Sequence, residues 1–145
     1  MALSDRIALL KDGGLEQVAS PREIYARPAT SYTAEFIGQT NLLRANMKDG
    51  AATCGALRWN ATQPTDATLF SLRPESIHLS PDGTAPSGAV RFRAVVRQQV
   101  FSGSSEHLEL DLAGQSLRAR IPARGPLSGE QEFWFSPAEA VPIRE

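Results

Sequence analysis

Arg91, Arg93 and Arg97 recur at even spacing, which places side chains on one face of a strand, and three guanidiniums on one face could hold a phosphate or another anion. A solvated or interface face is the plainer reading of the same pattern. Arg73-Pro74-Glu75 sets opposite charges on either side of a proline, which marks where a strand stops pairing and turns, with the two charges tied locally. Trp134 alternates with Phe133 and Phe135, so the phenylalanines face a core and Trp134, if exposed, is a contact for a second copy. His78, His107 and the single Cys54 lack metal-ligand spacing and read as structural or surface residues. No G-x-x-x-x-G-K-[ST] phosphate loop occurs, because the only lysines are Lys11 and Lys48 and neither follows such glycines. The expected interface or ligand face is therefore Arg73, Glu75, Arg91, Arg93, Arg97 and Trp134, with no catalytic, cofactor-binding or metal-binding residue.

The bulk composition narrows the class. At 145 residues, with 41% hydrophobic and 21% charged residues, the chain can bury one core, or a small domain with an appendage. A formal net charge of -1 does not advertise nucleic acid or an anionic membrane as a partner. One cysteine excludes an internal disulfide framework and points to the cytoplasm as the default compartment. No stretch has the roughly 18 consecutive apolar residues of a membrane-spanning helix, so membrane contact is expected only through a partner.

The elements that position these residues are short. Ile7 to Leu10 reads as a buried strand, Asp12-Gly13-Gly14 as a tight turn and Leu15 to Val18 as a second strand. Ser20-Pro21-Arg22-Glu23 starts a helix that Pro28 stops, and a second short helix runs from about Ser31 to Ile37, with Gly38 expected in the left-handed conformation at its end. From Asn41 onward the expected strands cover 42–48, 53–59, 68–73, 76–80, 89–99, 106–113, 116–122, 131–136 and 140–144, the texture of a barrel or sandwich. With Gly114-Gln115 as a two-residue turn, Asp111 faces Arg118, Glu109 faces Arg120, and Leu112, Leu110 and Leu108 face Leu117, Ala119 and Ile121.

Asp5-Arg6-Ile7, Ser20-Pro21-Arg22-Glu23-Ile24-Tyr25-Ala26-Arg27-Pro28-Ala29, Ala34-Glu35-Phe36-Ile37-Gly38 and Asn41-Leu42-Leu43 follow one another at continuous spacing. This series closely resembles the end of the nucleotide-binding domain of ABC-type import ATPases, with its "TPEEIYxxPA", "FVAxFIG" and "NLL" segments. The remainder is similar to their accessory TOBE barrel of the oligomer-binding (OB) type, in Leu72-Arg73-Pro74-Glu75-Ser76-Ile77, in Val100-Phe101-Ser102-Gly103-Ser104 where that family has "LGS", and in Phe133-Trp134-Phe135-Ser136-Pro137. The resemblance implies a mainly β fold, with residues 1–40 a remnant of the ATPase domain and residues 41–145 an OB-like regulatory barrel.

It further implies a non-catalytic piece of the ATP-binding subunit of an importer, of the polyamine or ferric-ion branch. That subunit would bind ATP and Mg, form a homodimer and sit under membrane permeases at the inner face of the cell membrane. Met1 is then an internal methionine or an artificial start, and the phosphate loop, catalytic acid and switch histidine are expected to lie outside this sequence. Leu127-Ser128-Gly129-Glu130-Gln131 mimics the family's "LSGGQ" signature, but the alternating Glu132-Phe133-Trp134-Phe135 that follows reads as a strand, so the segment is expected to be a turn. Without the rest of its sheet, the opening segment 1–27 is expected to be disordered, to repack on the barrel or to pair with a second chain. Two rivals stand beside this reading: a small-ligand or oxyanion module of the molybdate-carrying type, motivated by the arginine face, and an OB-type nucleic-acid binder, which the neutral charge disfavours.

Overall fold

The computed structural model describes residues 5–145; Met1 to Ser4, part of the opening segment considered above, lie outside that range. β1 (Ile7–Lys11) and β2 (Gly14–Ala19) form a two-stranded antiparallel hairpin that turns through Asp12 and Gly13, both at positive φ. α1 (Pro21–Ala26) starts where expected, because the Ser20 side chain accepts the Glu23 amide at 3.2 Å and Pro21 occupies the first turn. α2 (Ser31–Ile37) is capped in the same way by Thr30, whose hydroxyl accepts the Thr33 amide. Gly38 departs from expectation: its backbone is extended rather than left-handed. A glycine fits there because a Cβ would stand 3.2 Å from the Tyr25 ring.

Of the three outcomes expected for the opening segment, repacking of the hairpin on the barrel core is not what the structure shows: the hairpin's inner face packs on the two helices, where Leu9, Ala19 and Ile24 form a small cluster with Ile7, Tyr32 and Ile37. Only alternate residues of the apolar run are buried, so Leu9 is 6% exposed and Leu10 60%. Two helices of six and seven residues and one hairpin thus cover one another as a compact arm.

The remainder is the expected mainly β, OB-like curled barrel. β3 (Asn41–Arg44), β4 (Asn46–Lys48), β5 (Ala51–Cys54), β6 (Leu57–Asn60), β7 (Leu69–Leu72), β8 (His78–Leu79), β9 (Val90–Ser102), β10 (Ser105–Leu112), β11 (Gln115–Pro122), β12 (Glu130–Phe135) and β13 (Val141–Ile143) build three sheets, ordered β11-β10-β9-β12-β8, β13-β7-β3 and β4-β5-β6. The expected single strand 42–48 breaks at Ala45, whose amide donates to Thr68 O at 2.7 Å, so that β3 pairs with β7 and β4 with β5. The expected strand 53–59 is a hairpin, β5 to β6, turning at Gly55. The inner faces meet in one core, where Trp59 stands edge-on to Phe70 and Phe135, and Phe92 stacks on Phe133.

The β10–β11 register is shifted two residues from the expected one. Ala113 and Gly114, both at positive φ, form the turn, and Leu112 pairs with Gln115, Leu110 with Leu117 and Leu108 with Ala119. A shift of two keeps every side chain on its face but changes its partner. Arg118 therefore faces Glu109 and Arg120 faces His107, while Asp111 accepts the Gly114 amide at 2.8 Å.

The exposed edge of β11 is joined to β3 by one side chain. Asn41 Nδ2 donates to Leu72 O and Arg118 O at 3.1 and 2.9 Å, and its Oδ1 accepts the Arg118 amide at 2.7 Å. The carboxamide thus serves as a peptide group between two sheets that do not otherwise pair there.

Candidate functional site: an arginine joint beside an open cleft

β7 ends at Leu72, and a 3-10 turn (Pro74–Ser76) follows, so Arg73 and Glu75 leave the barrel where the arm arrives. Arg73 is 7% exposed. Its Nη1 donates to Ala34 O, Gly38 O and Gln39 O at 2.9 to 3.1 Å, and its Nε and Nη2 donate to Tyr25 O at 3.3 and 3.0 Å. Tyr25 O and Ala34 O belong to the last turns of α1 and α2, where helices lack internal donors and carry partial negative charge, and Gly38 O and Gln39 O follow directly on the end of α2. The guanidinium also lies 4.2 Å from the centre of the Tyr25 ring. Burial lowers its pKa from the ordinary value, while Tyr25 and Glu75 oppose that change.

Glu75 grips the same tyrosine from the other side. Its Oε2 accepts the Tyr25 hydroxyl, and its Oε1 lies 3.6 Å from Arg120 of β11. Burial, reinforced by the hydrogen bond to Glu75, pushes the Tyr25 phenol up to about 12. Arg73 and Glu75 thus close on one residue, and this polar clamp joins arm and barrel beside a small shared apolar cluster, in which Ala34 of α2 packs with Leu69 of β7 and Ile143 of β13. A backbone bridge lies there too, in which Arg144 O accepts the Ser31 amide at 2.7 Å and the Arg144 amide donates to Ala29 O at 2.9 Å.

The other candidate residues are not gathered with them. Arg91 pairs with Glu132 at 2.8 Å and also donates to Gly83 O, Arg93 pairs with Glu130 at 2.7 Å, and Arg97 pairs with Asp111 at 2.9 Å. Each guanidinium faces its own carboxylate, so the three do not converge on a common point. Trp134 is half-buried and stacks on His78, ring centres 4.3 Å apart and planes 26° apart. His107 lies in β10 opposite Arg120, and buried Cys54 receives a contact from Gln115 Nε2 at 3.1 Å. Among the described residues there is no group of three His, Cys, Asp or Glu side chains able to hold a metal ion. In the segment 127–131, Gly129 turns at positive φ and β12 begins at Glu130, so no helix starts there.

The His78–Trp134 pair lines an open cleft of about 770 Å³ between β8, β12 and the end of β11. Glu75, Arg120 and Arg124 line it too, so the clamp and the cleft share two side chains. Sequence reasoning missed Tyr25, Arg120 and Arg124. The first was visible only as a motif residue, and the second had been given to Glu109 by the misplaced turn.

A curled β unit with a clamped helical arm sets the class: residues 70–141 match the TOBE domain family. The chain belongs to the TOBE-bearing ATP-binding subunits of ABC importers and corresponds to their C-terminal part. It is 34% identical to a spermidine/putrescine import ATP-binding protein of Pseudomonas aeruginosa over 97% of this chain and 41% of the relative. A sulfate/thiosulfate import ATP-binding protein of Chromobacterium violaceum is 31% identical over 90% of this chain and 37% of the relative. An Fe(3+) ions import ATP-binding protein of Fusobacterium nucleatum is 33% identical over 74% of this chain and 29% of the relative. The chain spans about two fifths of the length of the first of these relatives.

Proposed function

We propose that this chain is the regulatory and dimerisation end of the ATP-binding subunit of an importer, and that its own role is to carry movement between an ATPase domain and the TOBE barrel. The clamp supports this reading. A buried guanidinium holding the ends of two helices makes the arm and barrel move together, which a regulatory barrel must do to sense or limit its ATPase. Residues 1–40 would be the end of the ATPase domain and 41–145 the barrel. The whole subunit would use ATP and Mg to drive uptake of a polyamine or ferric ion, as a homodimer beneath membrane permeases at the inner face of the membrane, with no nucleic-acid partner. The piece itself would perform no catalysis.

Calorimetry of the 145-residue chain with ATP and Mg is expected to show no binding, while the reading frame upstream of the Met1 codon is expected to encode a phosphate loop. ATP hydrolysis by the chain alone, or a stop codon directly upstream, would overturn the proposal.

A further inference from the structure

The cleft beside the clamp combines three features that no structural role uses together. Its volume of about 770 Å³ falls in the range of sites that enclose small organic molecules. One part of its lining is the stacked ring pair His78–Trp134, beside the apolar Leu79 and Pro122. Another part carries two exposed guanidiniums, Arg120 and Arg124. Arg124 makes no ion pair with any described residue, and Arg120 meets Glu75 only at 3.6 Å, longer than a charge-assisted hydrogen bond. Glu75 is the one acidic residue of the lining among the described residues.

We propose that this cleft binds a small organic anion bearing a flat ring, its carboxylate or phosphate held by Arg120 and Arg124 and its ring resting on the Trp134–His78 surface. Guanidiniums suit planar oxyanions because they donate in a fixed fork, and an indole surface suits a ring because stacking adds to the burial of apolar area. The site is distinct from the strand face of Arg91, Arg93 and Arg97, where every guanidinium already has a close carboxylate.

Glu75 ties this site to the arm. An anion that draws Arg120 toward itself competes with Glu75, whose other oxygen holds the Tyr25 hydroxyl. Removing the Glu75 charge therefore frees Arg120 and strengthens anion binding, whereas an apolar cleft with no anion function would be indifferent to it. The inference is independent of the importer reading, since it concerns the isolated chain.

The test uses the 145-residue chain labelled with 15N, following the indole N–H signals of Trp59 and Trp134, which Trp134→Phe assigns. The probes are 1-naphthoate and 1-naphthyl phosphate, with neutral 1-naphthalenemethanol and inorganic phosphate as controls. Both ring anions are expected to shift the Trp134 signal saturably and to leave buried Trp59 in place, with each control at least about tenfold weaker. Arg124→Gln and Arg120→Gln are expected to weaken the ring anions about tenfold, and Glu75→Gln to tighten them several-fold. Arg124 is exposed and outside any strand, so its replacement leaves the fold intact and keeps the test decisive. No saturable shift, equal binding of 1-naphthalenemethanol, or unchanged affinity in Arg124→Gln would overturn the proposal.

Discussion

Arg73 keeps its charge at 7% exposure because four main-chain carbonyls take the place of water around it. Truncation removes the donors and leaves those carbonyls without them, so Arg73→Ala is expected to lower stability by about 3 kcal/mol in urea unfolding. Arg73→Lys keeps the charge but not the fork, and is expected to recover only part of that loss. Tyr25 adds a pH dependence whose sign follows from its raised pKa. The neutral phenol is the form held by Glu75, so its contribution is fully present below the unfolded-state value of about 10 and is lost as pH climbs toward about 12. The stability difference between wild type and Tyr25→Phe is therefore expected to be constant from neutral pH to about pH 9 and to shrink above it. A difference that grows with alkali would show that Glu75 does not hold the phenol.

Single elements show which kinds of order are written locally. The Ser20 cap and Pro21 start of α1 involve residues three apart, and they were legible because propensity and geometry act there without distant help. The β10–β11 register was not, because a two-residue slip leaves leucines inward and charges outward; only the turn decides it, and an alanine in the left-handed region is an unusual choice. Ala113→Asn, which suits that conformation before Gly114, is expected to raise stability by about 0.5–1 kcal/mol without altering the fold, measured by thermal unfolding. Arg73 was legible as a place where a strand turns, yet its partners lie 34 to 48 residues away, beyond any local pattern. Asn41 is similar: it could be seen as part of a motif, but its contact with Arg118, 77 residues on, joins two sheets. Asn41→Asp removes the donor and sets a carboxylate against two carbonyls. It is expected to cost about 2–3 kcal/mol, more than Asn41→Ser, in the same unfolding measurement.

At the scale of the whole molecule, the arm and the barrel are held to different degrees. The barrel has a continuous core of aromatic and aliphatic side chains drawn from all three of its sheets, whereas the arm rests on a small cluster of its own around Leu9, Ala19 and Ile24, on the contact of Ala34 with Leu69 and Ile143, and on the clamp. Such a division predicts two levels of opening in native-state hydrogen exchange. Amides of β9, β10 and β12 are expected to exchange only through global unfolding, and amides of α1 and α2 through a lower-energy event that releases the arm. Because the guanidinium donates to carbonyls at the ends of both helices, Arg73→Ala should speed exchange in both helices by at least about tenfold while exchange in the centre of β9 follows only the global loss. If both regions accelerated equally, arm and barrel would be one cooperative unit, and the clamp would be an ordinary core contact rather than a hinge through which a barrel can influence what precedes it.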